Sequence, residues 1–141
     1  MTSIASAISY AAPSPRTRTS KSVIVGRVMS GIIALLLTVD AAFKFFPVKE
    51  VVEGSAQLGY TMDVIPVIGA VLLTCVILYV IPATSVFGAL LLTGYLGGAV
   101  ATHVRVGNPL FSHILFPTYV AAMVWGGLYL RNAKLRALVR G

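Results

Sequence analysis

Four apolar runs separated by short polar breaks set the pattern of this chain. A helix needs about 20 mainly apolar residues to cross a hydrocarbon core about 30 Å thick. Residues 23–46, 64–80, 85–104 and 110–130 qualify, the second only marginally. Proline punctuates the runs. Pro47 closes the first, Pro66 falls in the first turn of the second, Pro82 stops it, and Pro109 precedes the fourth. Proline is tolerated in a first turn, where its missing N–H costs little, and ends a helix elsewhere. Pro117 lies about two turns inside the fourth run and predicts a kink there. Between the first two runs, Val48, Val51, Val52, Ala56 and Leu58 have helical spacing, with Lys49, Glu50 and Glu53 on the other side. That pattern predicts a short amphipathic helix at the membrane interface, ending near Gly59.

These elements define an all-α polytopic membrane protein: a compact antiparallel four-helix bundle over residues 23–130, with a short amphipathic segment after the first helix. Residues 1–22 are rich in Ser, Thr, Ala and Pro, and 131–141 are basic. Both read as tails. The first has the order of charge and apolar residues reversed from a secretory signal, so it reads as a disordered cytoplasmic tail, with an organellar transit peptide as the rival.

Composition strengthens the membrane reading. Hydrophobic residues make up 57% and charged residues 11%, against about 25% charged in a soluble domain. The net charge of +7 is confined: eight of the eleven Lys and Arg residues lie in the two ends, from Arg16 to Arg27 and from Arg131 to Arg140. The loop joining the second and third runs has none. By the positive-inside rule both termini are cytoplasmic, as in a bacterial plasma membrane. The four acids, Asp40, Glu50, Glu53 and Asp63, then gather at the outer side with Lys44, Lys49 and Arg105. No polar fold remains to carry a nucleic-acid surface. The single cysteine, Cys75, excludes an internal disulfide or a C-x-x-C redox pair.

The residues able to carry chemistry cluster at that outer side. Asp40 and Lys44 share a helix face at i, i+4. Asp40 lies about 7 Å inside its run, so it must be paired, with Lys44 or Arg105, or face a wet cavity as a proton relay or ligand contact. His103 and Arg105 end the third run and His113 opens the fourth. Two histidines on neighbouring helices can ligate haem iron or a metal, but no second pair accompanies them, and an interfacial role is the simpler reading. Gly94 and Gly98 form a GxxxG pair, Gly97 with Ala101 repeats the interval, the fourth run offers Ala122, Gly126 and Gly127, and the first offers Gly26, Ser30 and Ala34. Small residues at this spacing let helices approach closely; at Gly94–Gly98 the alternative is room for a flat ligand, such as a quinone ring, beside Tyr95. Tyr79, Trp125 and Tyr129 toward the inner ends, and Phe43, Phe45, Phe46, Tyr60 and Phe111 toward the outer ends, suit interfacial belts.

Three stretches, DAAFKFFP (40–47), VVEGSAQLGY (51–60) and YLGGAVATHVRVGNP (95–109), occur in the order and spacing of the DoxX-like family of small four-helix membrane proteins, which the chain resembles over about residues 24–130. That family takes its name from a small membrane subunit of a thiosulfate:quinone oxidoreductase, and some relatives belong to redox-stress complexes. The resemblance therefore implies a membrane subunit and transfers no catalytic residue. The leading expectation is a non-catalytic membrane subunit or scaffold in the lipid bilayer, with a membrane or soluble redox protein, or a second copy of the chain, as partner. A second is a redox component with a quinone among Tyr95, His103 and Arg105 and with Asp40 or Glu53 handling protons. A third is a small transporter or ligand-binding protein, suggested by the Asp40–Lys44 pair and Pro117. Asp40, Lys44, Glu53, Tyr60, Tyr95, His103, Arg105 and His113 form the candidate ligand cluster.

Overall fold

A computed structural model describes residues 20–46 and 48–141. The N-terminal tail up to residue 19, with Arg16 and Arg18, and the helix-closing Pro47 lie outside the described residues. Among the described residues six α-helices follow one another: α1 (Lys21–Phe43), α2 (Lys49–Gln57), α3 (Ile65–Val80), α4 (Ser85–Arg105), α5 (Phe116–Arg131) and α6 (Ala133–Arg140). A π-helical turn, Leu110–Ile114, leads into α5. There is no strand among the described residues.

Three helical segments, Lys21–Phe43, Ser85–Arg105 and Leu110–Arg131, are long and apolar enough to cross a membrane; α3, at 16 residues, is shorter. Many large apolar side chains face outward, among them Leu35 at 66% exposed and Phe111 at 74%. Outward apolar surface on helices of this length is what a lipid solvent requires, since helices satisfy their own backbone. The molecule is an integral membrane protein on these grounds.

Four helices form a ring around one core: α1 packs on α3 and α5, and α4 packs on the same two. Ile33, Leu37, Leu72, Leu92, Val124 and Leu128 fill it. In lipid, apolar burial gives helices little reason to associate, so close backbone approach has to supply the attraction. Gly26 and Gly127 provide it between α1 and α5. A Cβ on Gly26 would stand 2.7 Å from the Arg131 backbone N, and one on Gly127 would stand 2.7 Å from Ser30 Oγ. Gly69 lets α3 reach the Ala41 carbonyl of α1, and Gly88 lies against the backbone of Leu78 and Tyr79.

Several expectations change at this level. The seam expected at Gly94, Gly97 and Gly98 lies elsewhere: a Cβ built on any of them meets nothing within 4 Å. Gly126 meets only the Met29 methyl, at 3.0 Å. Glycine at the three α4 positions therefore relieves no contact with a neighbouring helix. Tyr79 is not a belt residue but fully buried. Its hydroxyl donates to the Val124 carbonyl at 2.9 Å and lies 2.9 Å from Ser30 Oγ, so the α3 tyrosine ties α1 to α5. The basic C-terminal segment is a helix, α6, capped by Asn132, whose side-chain oxygen accepts from the Leu135 N–H. Leu135 packs against the core.

The break at Pro117 takes a specific form. An α-helical register would ask Pro117 for an N–H to the His113 carbonyl, which proline lacks. The chain widens instead: Ile114 N bonds the Pro109 carbonyl and Leu115 N bonds that of Leu110. The regular helix restarts at Phe116 with Pro117 in its first turn, and π-turns of this kind recur at functional sites.

Candidate functional site

Two helices that end on the side carrying the acids stop by the same device. Gly59, at φ 77°, follows α2, and Gly107, at φ 70°, follows α4. In each case the glycine N–H bonds back three residues and the next N–H bonds back five: Gly59 to Ala56 and Tyr60 to Ser55, Gly107 to Val104 and Asn108 to His103. This left-handed glycine cap reverses the chain sharply. It delivers Tyr60 and Asn108 back toward the helix ends they have just left.

The result is an open cleft of ≈ 1040 Å³ bounded by the end of α1, α2, the second half of α4 and the π-turn with the start of α5. Asp40, Lys44, Tyr60, Tyr95, His103 and His113 all line it. Glu53 and Arg105 do not. Glu53 pairs with Lys49 at 3.7 Å on the exposed side of α2. Arg105 lies under the α2 cap and donates from Nη2 to the Leu58 carbonyl at 2.7 Å. Glu50, Thr102 and Asn108 line the cleft as well, though sequence reasoning did not nominate them. The signal for Asn108 was its place in Gly-Asn-Pro after the third run; for Glu50 there was only an amphipathic pattern whose inward face was misassigned.

Val48, Val52 and Ala56 are exposed, while Val51 and Leu58 are half-buried and Ser55 is buried. The stripe 51–55–58 turns inward over the polar cleft, and Val48, Val52 and Ala56 are left on the outward face. Two ties hold the cover down: Arg105 to Leu58, and the Tyr60 hydroxyl to Thr102 Oγ1 at 3.0 Å. Thr102 spends its own hydrogen on the Gly98 carbonyl at 2.9 Å, so Tyr60 is the donor. Arg105→Ala should weaken the cover by about 1 kcal/mol, seen as faster amide hydrogen exchange over residues 55–60 with α4 unchanged. Equal protection in the variant would show that Arg105 does not hold α2.

Inside the cleft the charges are arranged by pairing. Lys44 Nζ meets Asp40 Oδ2 at 2.6 Å; the Lys44 side chain is 19% exposed and that of Asp40 50%. The acid therefore pairs with its own helix neighbour and opens onto the cavity, rather than reaching Arg105. Across from it, Asn108 Nδ2 lies 2.8 Å from His103 Nδ1. An amide nitrogen can only donate, so Nδ1 accepts and the neutral ring carries its hydrogen on Nε2. His113 stands edge-on to His103, ring centroids 5.7 Å apart at 67°, with Ser112 Oγ 2.8 Å from its Nδ1. No group of three or more His, Cys, Asp or Glu with metal-binding geometry occurs among the described residues. The remaining acid, Asp63, sits in the exposed loop after Tyr60, where a hydrogen bond from the Thr61 side chain holds its carboxyl below the ordinary range; it does not line the cleft.

The cleft also has apolar walls, among them the buried Leu37, Leu96 and Val120. Gly94 and Gly98 line the α4 side, where their missing side chains leave the space open beside Tyr95. A cavity of this size, with apolar walls and a few converging polar groups, has the make-up of a small-molecule site.

An all-helical membrane protein with a partly polar cleft at one end of its bundle is the class these features define. The sequence model of the DoxX-like family matches residues 28–127, and the chain belongs to that family. No curated protein and no solved structure matches the chain.

Proposed function

We propose that this DoxX-like protein is a four-span membrane subunit, with α3 as the short fourth crossing and both termini cytoplasmic, that binds a flat amphipathic molecule of the quinone class in its outer cleft. The observation that carries the reading is the lining of the cleft, where hydrogen-bonding groups and the buried apolar side chains of Leu37, Leu96 and Val120 share one cavity. A quinone ring has carbonyl oxygens at its edge and an isoprenoid tail. His103 Nε2–H and the Tyr95 hydroxyl supply donors for the carbonyls, and the glycine-lined wall of α4 supplies room for the ring. Val39 and Phe116 line the cleft and are about half exposed, which would give the tail a route into lipid. The Asp40–Lys44 pair lines the same cleft, where it could exchange protons with the headgroup. A separate redox protein would reduce or oxidise the bound molecule.

The test is photolabelling of the purified protein in lipid nanodiscs with a short-chain azidoquinone. Labelled peptides are expected from residues 36–44 and 94–117, competed by unmodified quinone. His103→Ala should reduce competed labelling roughly tenfold, the loss of about one hydrogen bond's discrimination. Labelling spread over the lipid-facing surfaces, or equal in wild type and variant, would remove the quinone reading.

A further inference from the structure

At the opposite end of the bundle the charge is unbalanced. No Asp or Glu occurs before Asp40 or after Asp63. The two ion pairs among the described residues, Asp40–Lys44 and Lys49–Glu53, both lie at the outer end. The inner ends of α1 and α5 nevertheless carry Arg27 and Arg131, brought together by the close approach at Gly26. A small cavity of ≈ 130 Å³ lies there, lined by Arg27, Ser30, Gly31, Tyr79, Val80 and Arg131.

Arg131 is held in place and left incomplete. Its Nη2 donates to the Tyr79 carbonyl at 2.7 Å and its guanidinium lies 4.8 Å from the Tyr79 ring centroid. Its Nε is buried with no hydrogen-bond partner among the described residues. A buried donor on a permanent cation is costly to leave unmatched, and more so at a membrane boundary. Arg27 enters the same cavity from α1, about 9 Å along the helix from Lys21. Two arginines with no Asp or Glu in their part of the sequence line one cavity, too small for a whole ligand but large enough for one tetrahedral anion, and paired arginines suit a phosphate.

We propose that this inner cavity is a phosphate-binding site, built by Arg27 and Arg131, that takes the headgroup phosphate of an anionic phospholipid or a free phosphate ion. The site is independent of the outer cleft and of any ligand there. With a lipid in place, the phosphate would lie between the arginines while the acyl chains run along the exposed apolar face of α1. The anion would neutralise the pair that otherwise repels across the α1–α5 seam.

Native mass spectrometry of the full-length protein, purified in a neutral detergent, decides this. Three probes are added separately: phosphatidylglycerol, a neutral glycosyl diacylglycerol, and inorganic phosphate. Retention of one phosphatidylglycerol, and not the glycolipid, is expected. Arg27→Gln leaves the buried contacts of Arg131 intact and should weaken that retention about tenfold or more. Arg131→Lys keeps the charge but loses the fork and should weaken it too. If inorganic phosphate at millimolar concentration displaces the lipid, or binds alone with the same dependence on Arg27, the site holds and a free anion is its ligand. Equal retention of glycolipid and phosphatidylglycerol, or retention unchanged in both variants, would overturn the proposal. His103→Ala should leave all three results as in wild type, which separates this site from the outer one.

Discussion

Gly88→Ala is expected to destabilise the protein by about 3 kcal/mol or more, enough to remove most folded material from the membrane. The turn between α3 and α4 spans only residues 81–84, so α4 starts directly against the last turn of α3. An added Cβ at Gly88 would come within 2.5 Å of Leu78 C and Tyr79 Cα. Those are backbone atoms and cannot swing aside as a side-chain tip can. Thr84 and Ser85 tighten the turn further, donating to the carbonyls of Leu78 at 2.8 Å and Pro82 at 3.1 Å. The protein contains its own reporter, because its single cysteine, Cys75, is buried in the core. A fluorogenic maleimide that reacts when Cys75 becomes exposed should report unfolding at a much lower temperature in the variant. Gly97→Ala is the control. It has open space at its Cβ, and replacing a mid-helix glycine should be neutral or stabilise by up to about 1 kcal/mol. Matching melting curves for Gly88→Ala and wild type would contradict the packing described here.

Tyr79→Phe should cost about 1–3 kcal/mol, the usual penalty for leaving a buried polar group unmatched. Among the described residues the hydroxyl is the only α3 side-chain group hydrogen-bonded to both α1 and α5, and it gives its hydrogen to the Val124 carbonyl. Ser30 must then donate to it, and Ser30 is itself buried. Phenylalanine would fit the same space and leave the serine hydroxyl without its partner. Adding Ser30→Ala should recover part of the loss, because two apolar groups in place of two bonded ones can be nearly neutral. The comparison is a double-mutant cycle read by Cys75 reactivity against temperature. Additive losses in the two single variants would show that the hydroxyls do not act as a pair.

Sequence reasoning located the helices well and their contacts poorly, for a physical reason. Lipid-facing and core-facing positions are both apolar in a membrane helix, so the pattern that betrays the buried face of a soluble helix is missing. Leu35, 66% exposed, and Leu37, 3% exposed, differ in nothing a sequence displays. The same blindness affected the glycines. Gly94–Gly98 has the spacing of a helix seam and lines a cleft instead, whereas Gly69 and Gly88, outside any such motif, carry two of the tightest contacts. Six of the eight polar residues nominated from sequence line one cavity, because charge in an apolar chain is scarce and collects where water is. The exceptions, Glu53 and Arg105, are on the back of α2 and beneath its cap. Their roles depend on which way a nine-residue helix rolls, and Val48, Val51 and Val52 allowed more than one answer.

The sequence by itself determined the solvent, the helices, the gathering of acids at one end and the family. Each follows from local composition: long apolar runs, prolines at their ends, and charges that cannot stay in hydrocarbon. Only the tertiary structure decided that α2 covers a cleft, that the chain unwinds into a π-turn before Pro117, and that Tyr79 joins three helices. It also decided that Arg27 and Arg131 meet at one cavity. These depend on how helices separated by up to a hundred residues are rotated about their axes, and no local pattern encodes a rotation when every face of the helix is apolar.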